Sequence, residues 1–101
     1  MSNIAFSTPF IRGLTHTETS VSNAAVTEIL AAASATEKRV IVFVQNKSST
    51  ANLFVIYNAS GSTGILVPPL SNTSIENYTG TVRVTTDSAT ASVVHLAVAA
   101  I

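Results

Sequence analysis

Two runs of β-branched and aromatic residues dominate the middle of the chain. Val40–Val44 is apolar throughout and ends in the polar cluster Gln45–Ser49, and Leu53–Tyr57 repeats this pattern before a loop rich in Ser, Asn and Gly. Such runs are typical of β-strands, and the six-residue connection 47–52 suits a hairpin with a longer loop. Because both runs are apolar throughout, we expect the two strands to be buried on both faces or to lie at the centre of a sandwich.

Shorter strands follow toward the end of the chain. Ile65–Val67 stops at two prolines, which cannot donate to a strand ladder. Ser74–Tyr78 is a further candidate, Thr81–Thr85 alternates with its two valines inward, and Ser92–Ala99 forms the last strand. About six or seven short strands, with no confident helix after residue 35, predict an all-β fold, a single antiparallel β-sandwich of jelly-roll or Ig-like type.

Residues 24–33 fit two kinds of element. Val26, Ile29, Leu30 and Ala33 recur at the spacing of a short amphipathic helix. The preceding stretch, 17–27, is instead dense in β-branched and hydroxyl residues. Periodicity alone therefore leaves helix and strand open here.

The first sixteen residues carry apolar side chains without any period. Pro9 and Gly13 interrupt them, so we predict an extended N-terminal arm over residues 1–16 and a β-sandwich domain over 17–101. The arm either docks onto a neighbouring molecule or folds back over its own domain. The predicted contacts of a docking arm are its apolar residues, Ile4, Phe6, Phe10, Ile11 and Leu14.

Composition narrows the possible functions. Only 10% of the residues are charged, against about 25% in an average soluble domain, and the net charge is zero, so no basic field exists to bind nucleic acid. There is no cysteine, no apolar run near the length that spans a membrane, and no segment at the start that we expect to act as a secretory signal.

The scarcity of charge also predicts association. Ser and Thr account for 27 of the 101 residues, so the surface must consist largely of small hydroxyl residues, Asn and Ala. A small domain near zero net charge tends to associate, and we therefore expect other subunits to cover part of the exterior. The apolar ending Leu96–Ile101 agrees with this expectation, although it also suits a last core strand.

Candidate chemistry is sparse. His16 and His95 stand alone, the five acidic residues are scattered singly, and no spacing is typical of metal ligands or of a nucleophile with its base. We expect no catalytic residue, metal site or cofactor, and no enzymatic activity. The only charge cluster is Glu37–Arg39, in which Lys38 and Arg39 either lie in a solvated loop or contact an acidic patch on a partner.

Two segments in the middle of the chain carry a family resemblance. Lys38–Ser49 followed by Ala51–Val55 resembles a basic-led pattern, R-x-hydrophobic-QN-x-S-x-x-N-L-hydrophobic-V, that recurs in small virion proteins of tailed bacteriophages. Ile65–Pro69 resembles the hydrophobic-P-G turn of those proteins, with Pro69 in place of the expected Gly.

A later strand adds to this likeness, which covers about residues 20–98. Tyr78–Val84 resembles the Y-x-G-x-V-hydrophobic strand of the same proteins, with Arg83 where an apolar or aromatic residue is commoner. The resemblance implies that residues 20–31 pair as strands rather than form a helix.

The resemblance implies a non-enzymatic subunit of a virion, assembled in the host cytoplasm. The leading expectation is a capsid decoration or cement protein that stabilises the head by binding neighbouring capsid subunits. Its partners would be further copies of itself, as a homotrimer, and the major capsid protein or other virion proteins, with no nucleic acid and no membrane. One alternative is a neck, tail or baseplate component of the virion. Another is a receptor- or glycan-binding β module, although loops 60–64 and 71–73 contain no aromatic residue.

Overall fold

A computed structural model of the chain describes residues 13–101, which form eight β-strands and no helix. In chain order the strands are β1 Thr15–Val21, β2 Thr27–Leu30, β3 Arg39–Asn46, β4 Leu53–Ile56, β5 Ile65–Val67, β6 Asn72–Glu76, β7 Val82–Thr86 and β8 Ser92–Ala100. They form two antiparallel sheets of four strands, ordered β1-β8-β3-β6 and β2-β7-β4-β5. The two sheets share one hydrophobic core, which confirms the predicted all-β sandwich.

The core is built from alternate residues of the central strands. Fully buried side chains at these positions are Val42 and Val44 on β3, Leu53 and Val55 on β4, and Val82 and Val84 on β7. Full burial of such a side chain stabilises the fold by about 1.5–3 kcal/mol. Valine suits these positions because its branched side chain packs well on a pleated surface. The inward valines predicted for β7 are confirmed.

Strands β3 and β4 lie inside their sheets, so the central position predicted for them is confirmed. Burial on both faces is wrong for β3, because Ile41 and Phe43 on its outer face are only half-buried. Phe54 on β4 is half-buried in the same way.

The hairpin expected between residues 40 and 57 is also wrong. β3 pairs with β8 and β6, whereas β4 pairs with β7 and β5 in the opposite sheet. Residues 47–52 therefore form an arch that crosses from one sheet to the other. Both strands place an apolar face in the same core, but they reach it from opposite sides.

Residues 24–33 contain a strand and no helix. Thr27–Leu30 pairs with β7, and a bulge between Glu28 and Leu30 shifts the register. The strand alternative is thus confirmed over these four residues. Residues 22–26 turn between β1 and β2, with the Asn23 amide donating to the Ser88 carbonyl at 2.9 Å.

The start of the described chain overlaps the predicted arm. β1 begins at Thr15, and Leu14 just before it is 44% exposed. The other predicted arm contacts lie outside the described residues: Ile4, Phe6, Phe10 and Ile11.

Candidate functional site

The two basic residues predicted as partner contacts have opposite environments. Lys38 is exposed, whereas the side chain of Arg39 is only 3% exposed. The Arg39 guanidinium donates from Nη2 to the Ala31 carbonyl at 2.6 Å and from Nη1 to the Gly80 carbonyl at 3.0 Å, and its Nε donates to Glu37 Oε2 at 3.1 Å. The guanidinium thus fixes the connection between β2 and β3 and is enclosed by its own chain.

Asn46 is a buried polar residue that joins two loops. Its Oδ1 accepts a hydrogen bond from the Ser48 amide at 3.0 Å. Its Nδ2 donates to three carbonyl oxygens, those of Ala51 at 2.8 Å, Val67 at 3.1 Å and Pro68 at 3.2 Å. A buried amide whose donors and acceptor are both used holds its surroundings rigidly. Asn46 therefore couples the arch 47–52 to the turn that follows β5.

That turn, Pro68–Ser71, holds Leu70 in an unusual backbone conformation. The Ser71 amide donates to the Pro68 carbonyl at 3.1 Å, and the Leu70 amide donates to the Ser48 carbonyl at 3.0 Å. Leu70 has φ of 60°, in the left-handed region, where the third position of such a turn normally takes Gly. Its side chain is nevertheless 66% exposed.

Three exposed apolar side chains lie on strand β5 and in the turn that follows it. Ile65 is 49% exposed and Leu66 is 54% exposed, and with Leu70 they form what we call the β5 edge. β5 is the last strand of its sheet, so one of its sides has no neighbouring strand within the described residues. The whole segment 48–75, which contains β4, β5 and most of β6, has no Asp, Glu, Lys, Arg or His. The β5 edge is therefore both apolar and uncharged.

A polar cluster connects β1, the edge strand of the sheet β1-β8-β3-β6, with its neighbour β8. Glu18 Oε2 accepts a hydrogen bond from Lys47 Nζ at 2.7 Å and lies 2.9 Å from His95 Nδ1. His16 Nδ1 lies 2.8 Å from His95 Nε2. The hydrogen bonds from Lys47 and then from His95 hold the pKa of the Glu18 carboxyl below its usual value of 4.5.

This cluster is suited to fixing β1 on β8. A hydrogen bond between two ring nitrogens requires one donor and one acceptor, so His16 and His95 cannot both be fully protonated while it persists. Within residues 13–101, no group of three or more His, Cys, Asp or Glu side chains is arranged to hold a metal ion.

The loop 57–64 forms a concave surface of about 490 Å³. Arg83 on β7 fixes this loop, because its Nε donates to the Asn58 carbonyl at 3.0 Å and its Nη2 donates to the Gly61 carbonyl at 2.7 Å. Tyr57 lines the concavity, and burial raises the pKa of its hydroxyl.

A smaller groove of about 250 Å³ opens between the two sheets near β1 and β2. Its apolar lining includes Leu30, Leu96 and Val98, and Thr17 and Gly13 lie at its border. Gly13, the first described residue, also lines this groove.

Neither Asn46 nor Leu70 was singled out from the sequence, although each carries a signal. Asn46 continues the even-numbered, inward positions of Val42 and Val44, so a period of two places its amide in the core. Leu70 follows Pro69 at a turn position that favours Gly.

Comparisons of the chain with protein-family models, with curated proteins and with solved structures find no match. No helix among residues 13–101 has the length and apolar character needed to cross a membrane.

Proposed function

We propose that this chain is a non-enzymatic structural protein of a tailed-bacteriophage particle, and specifically a capsid decoration protein that binds neighbouring capsid subunits. The observation that carries this proposal is the strand order. Six of the seven connections between consecutive strands pass from one sheet to the other, and only β4 and β5 are consecutive neighbours in one sheet.

This order favours the jelly roll over the Ig-like sandwich. An Ig-like sandwich pairs several consecutive strands within its sheets, whereas a jelly roll is two four-stranded sheets built from two Greek keys. Jelly rolls recur in viral capsid and lectin domains. The fold type and the resemblance of the sequence to phage virion proteins thus support the same role.

The distribution of charge supports binding without electrostatic steering. Of the nine charged side chains within residues 13–101, six form hydrogen bonds or ion pairs inside the chain: Glu18, Glu37, Arg39, Lys47, Arg83 and Asp87. Few charges remain to select a partner, so the contacts with capsid subunits would come from apolar and hydroxyl surface.

In this role the protein is a homotrimer in the virion, bound to the major capsid protein. Its contacts with the capsid would include the apolar side chains of the predicted arm, among them Leu14, which is 44% exposed just before β1. Lys38, which is exposed, is a second contact candidate.

The copy number in the particle tests this function. Particles of the phage that encodes the chain should contain it in numbers on the order of hundreds, counted by quantitative mass spectrometry. A count of about six or twelve would assign it instead to the neck, tail or baseplate. Its absence from the particle would contradict a virion role.

Deletion of residues 2–12 tests the arm separately, because β1 begins only at Thr15. We expect the shortened protein to keep its β-sheet circular dichroism spectrum and to occupy fewer capsid sites. Unchanged occupancy with an intact fold would remove the arm from the proposal.

A further inference from the structure

We propose that copies of this chain meet at the β5 edge, with the Leu70 side chains packed together near the symmetry axis of the oligomer. The inference rests on the oligomeric part of the proposed function and adds the surface that forms the oligomer. The partner is a second copy of the same chain.

The conformation of Leu70 is the first observation behind this assignment. A left-handed backbone costs a residue with a Cβ of the order of 1 kcal/mol, and an exposed leucine side chain gains nothing from burial in the monomer. Glycine or asparagine would fit the same position at lower cost. Leucine at this position is therefore unfavourable in the isolated monomer and becomes favourable if another molecule buries it.

The rigidity of the turn is the second observation. The Leu70 amide is bonded to the Ser48 carbonyl, and the buried Asn46 amide bonds the Val67 and Pro68 carbonyls on the other side of the turn. Because these bonds already fix the backbone of the turn, the turn loses little further backbone entropy when Leu70 is covered by another molecule.

The absence of charge favours a second copy as the partner. Close to a symmetry axis like residues face one another, so a charge there would meet the same charge on its copy and be repelled, and a surface without charge has no group with which to select a charged partner. The segment 48–75 has no charged residue or histidine, so the β5 edge can face its own copy without repulsion.

The strand itself limits the form of the contact. β5 has only three residues and is followed by Pro68 and Pro69, which have no amide hydrogen to donate. Short edge strands next to proline resist pairing with another chain. The contact should therefore use the side chains of Leu66 and Leu70 rather than a continuous sheet.

Two substitutions separate association from folding. Leu70→Asn and Leu70→Gly both suit the left-handed backbone and remove the apolar side chain, so the urea midpoint of each variant should equal or exceed that of the original protein. Sedimentation velocity between about 1 µM and 1 mM should show association weakened about tenfold or more in both variants. Val26 is an exposed apolar residue away from β5. The variant Val26→Asn is therefore the matched control and should associate normally.

A cross-linking experiment tests the position of the contact directly. The chain has no cysteine, so Leu70→Cys and Val26→Cys each introduce a single thiol. A short bis-maleimide should link Leu70→Cys copies into covalent dimers and should link Val26→Cys copies far less.

Normal association of the Leu70→Asn and Leu70→Gly variants would overturn the proposal. So would equal weakening by Val26→Asn, cross-linking of Val26→Cys as efficient as that of Leu70→Cys, or a monomer at every concentration of the original protein. The copy number in the particle is measured independently, so a chain that associates through Leu70 but is missing from virions would contradict the proposed function alone.

Discussion

The guanidinium of Arg39 lies 2.6 Å from the carbonyl oxygen of Ala31, eight residues earlier in the chain. The same side chain reaches the Gly80 carbonyl, which precedes β7. One buried cation thus fixes the connection between β2 and β3 against the turn before β7. The charged residue just before the apolar run 40–44 is therefore part of the interior and not of the solvated surface.

Replacement of Arg39 with methionine should lower the free energy of unfolding by about 2–4 kcal/mol, because two carbonyl groups lose their donors inside the protein. Urea denaturation measures this loss. Arg39→Lys should recover only a small part of it, since a single ammonium group cannot span both carbonyls as the planar guanidinium does. A lysine variant as stable as the original protein would contradict this account of the guanidinium.

Asn46→Ala should also lower the free energy of unfolding by about 2–4 kcal/mol, because the carbonyls of Val67 and Pro68 lose their hydrogen-bond donor inside the protein. The matched control is Asn72→Ala on β6, where the side chain is exposed and the change should stay within about 0.5 kcal/mol. Hydrogen exchange should show faster opening of the Leu70 and Ser71 amides in the Asn46 variant. Equal losses for the two asparagines would show that Asn46 does not organise these loops.

Stability should depend on pH through Glu18. The pKa of this carboxyl is lower in the folded chain than its usual 4.5, so its ionised form stabilises the fold above that pH and the effect disappears as the pH falls through the folded value. Glu18→Gln should therefore lower Tm at about pH 7, and the difference from the original protein should shrink below pH 4.5.

The control for this series is Glu76→Gln, because Glu76 forms no ion pair with another described residue. Its Tm difference should be small at every pH. If the Tm difference between Glu18→Gln and the original protein persisted undiminished to about pH 3, it would contradict the role assigned to the ionised carboxylate.

Gly80→Ala should displace Tyr78, because a Cβ at position 80 would lie 2.5 Å from the tyrosine hydroxyl oxygen. That hydroxyl donates to the Thr81 carbonyl at 2.6 Å, and its ring packs edge-on against Tyr57. We expect a loss of about 1–2 kcal/mol in urea denaturation. Gly13→Ala, where a Cβ meets nothing within 4 Å, is the control.

A double substitution identifies the cause. In a Tyr78→Ala background the hydroxyl oxygen and the two ring carbons that would lie 2.5, 2.7 and 3.0 Å from a Cβ at position 80 are all absent, so Gly80→Ala should cost clearly less than it does alone. Additive losses would mean that the contact with Tyr78 is not the origin of the effect.

The hydrophobic pattern predicts the strands well and their partners poorly. The alternating valines of β7 and the apolar runs of β3 and β4 identify strands because a buried face imposes a period of two. Sheet membership does not follow from that period, since β3 and β4 bury the same kind of side chains whether they pair or face each other. The hairpin predicted between them failed for this reason.

The candidate sites were harder to anticipate. Arg39 and Asn46 bond to main-chain carbonyls, and any residue type can supply these partners, so no side-chain motif marks them. The contact between His16 and His95 joins positions 79 residues apart, which become neighbours only through the pairing of β1 with β8. The scarcity of charge, by contrast, is visible in composition alone and underlies the prediction that the chain associates.

Sedimentation of the original protein at low and high salt tests that prediction most directly. If apolar and hydroxyl surface joins the copies, a concentration-dependent oligomer should form with an association constant that changes little between about 0.05 and 0.5 M sodium chloride. A chain that stays monomeric up to about 1 mM, or an oligomer that salt disperses, would contradict the claim that this exterior is built to be covered by its own copies.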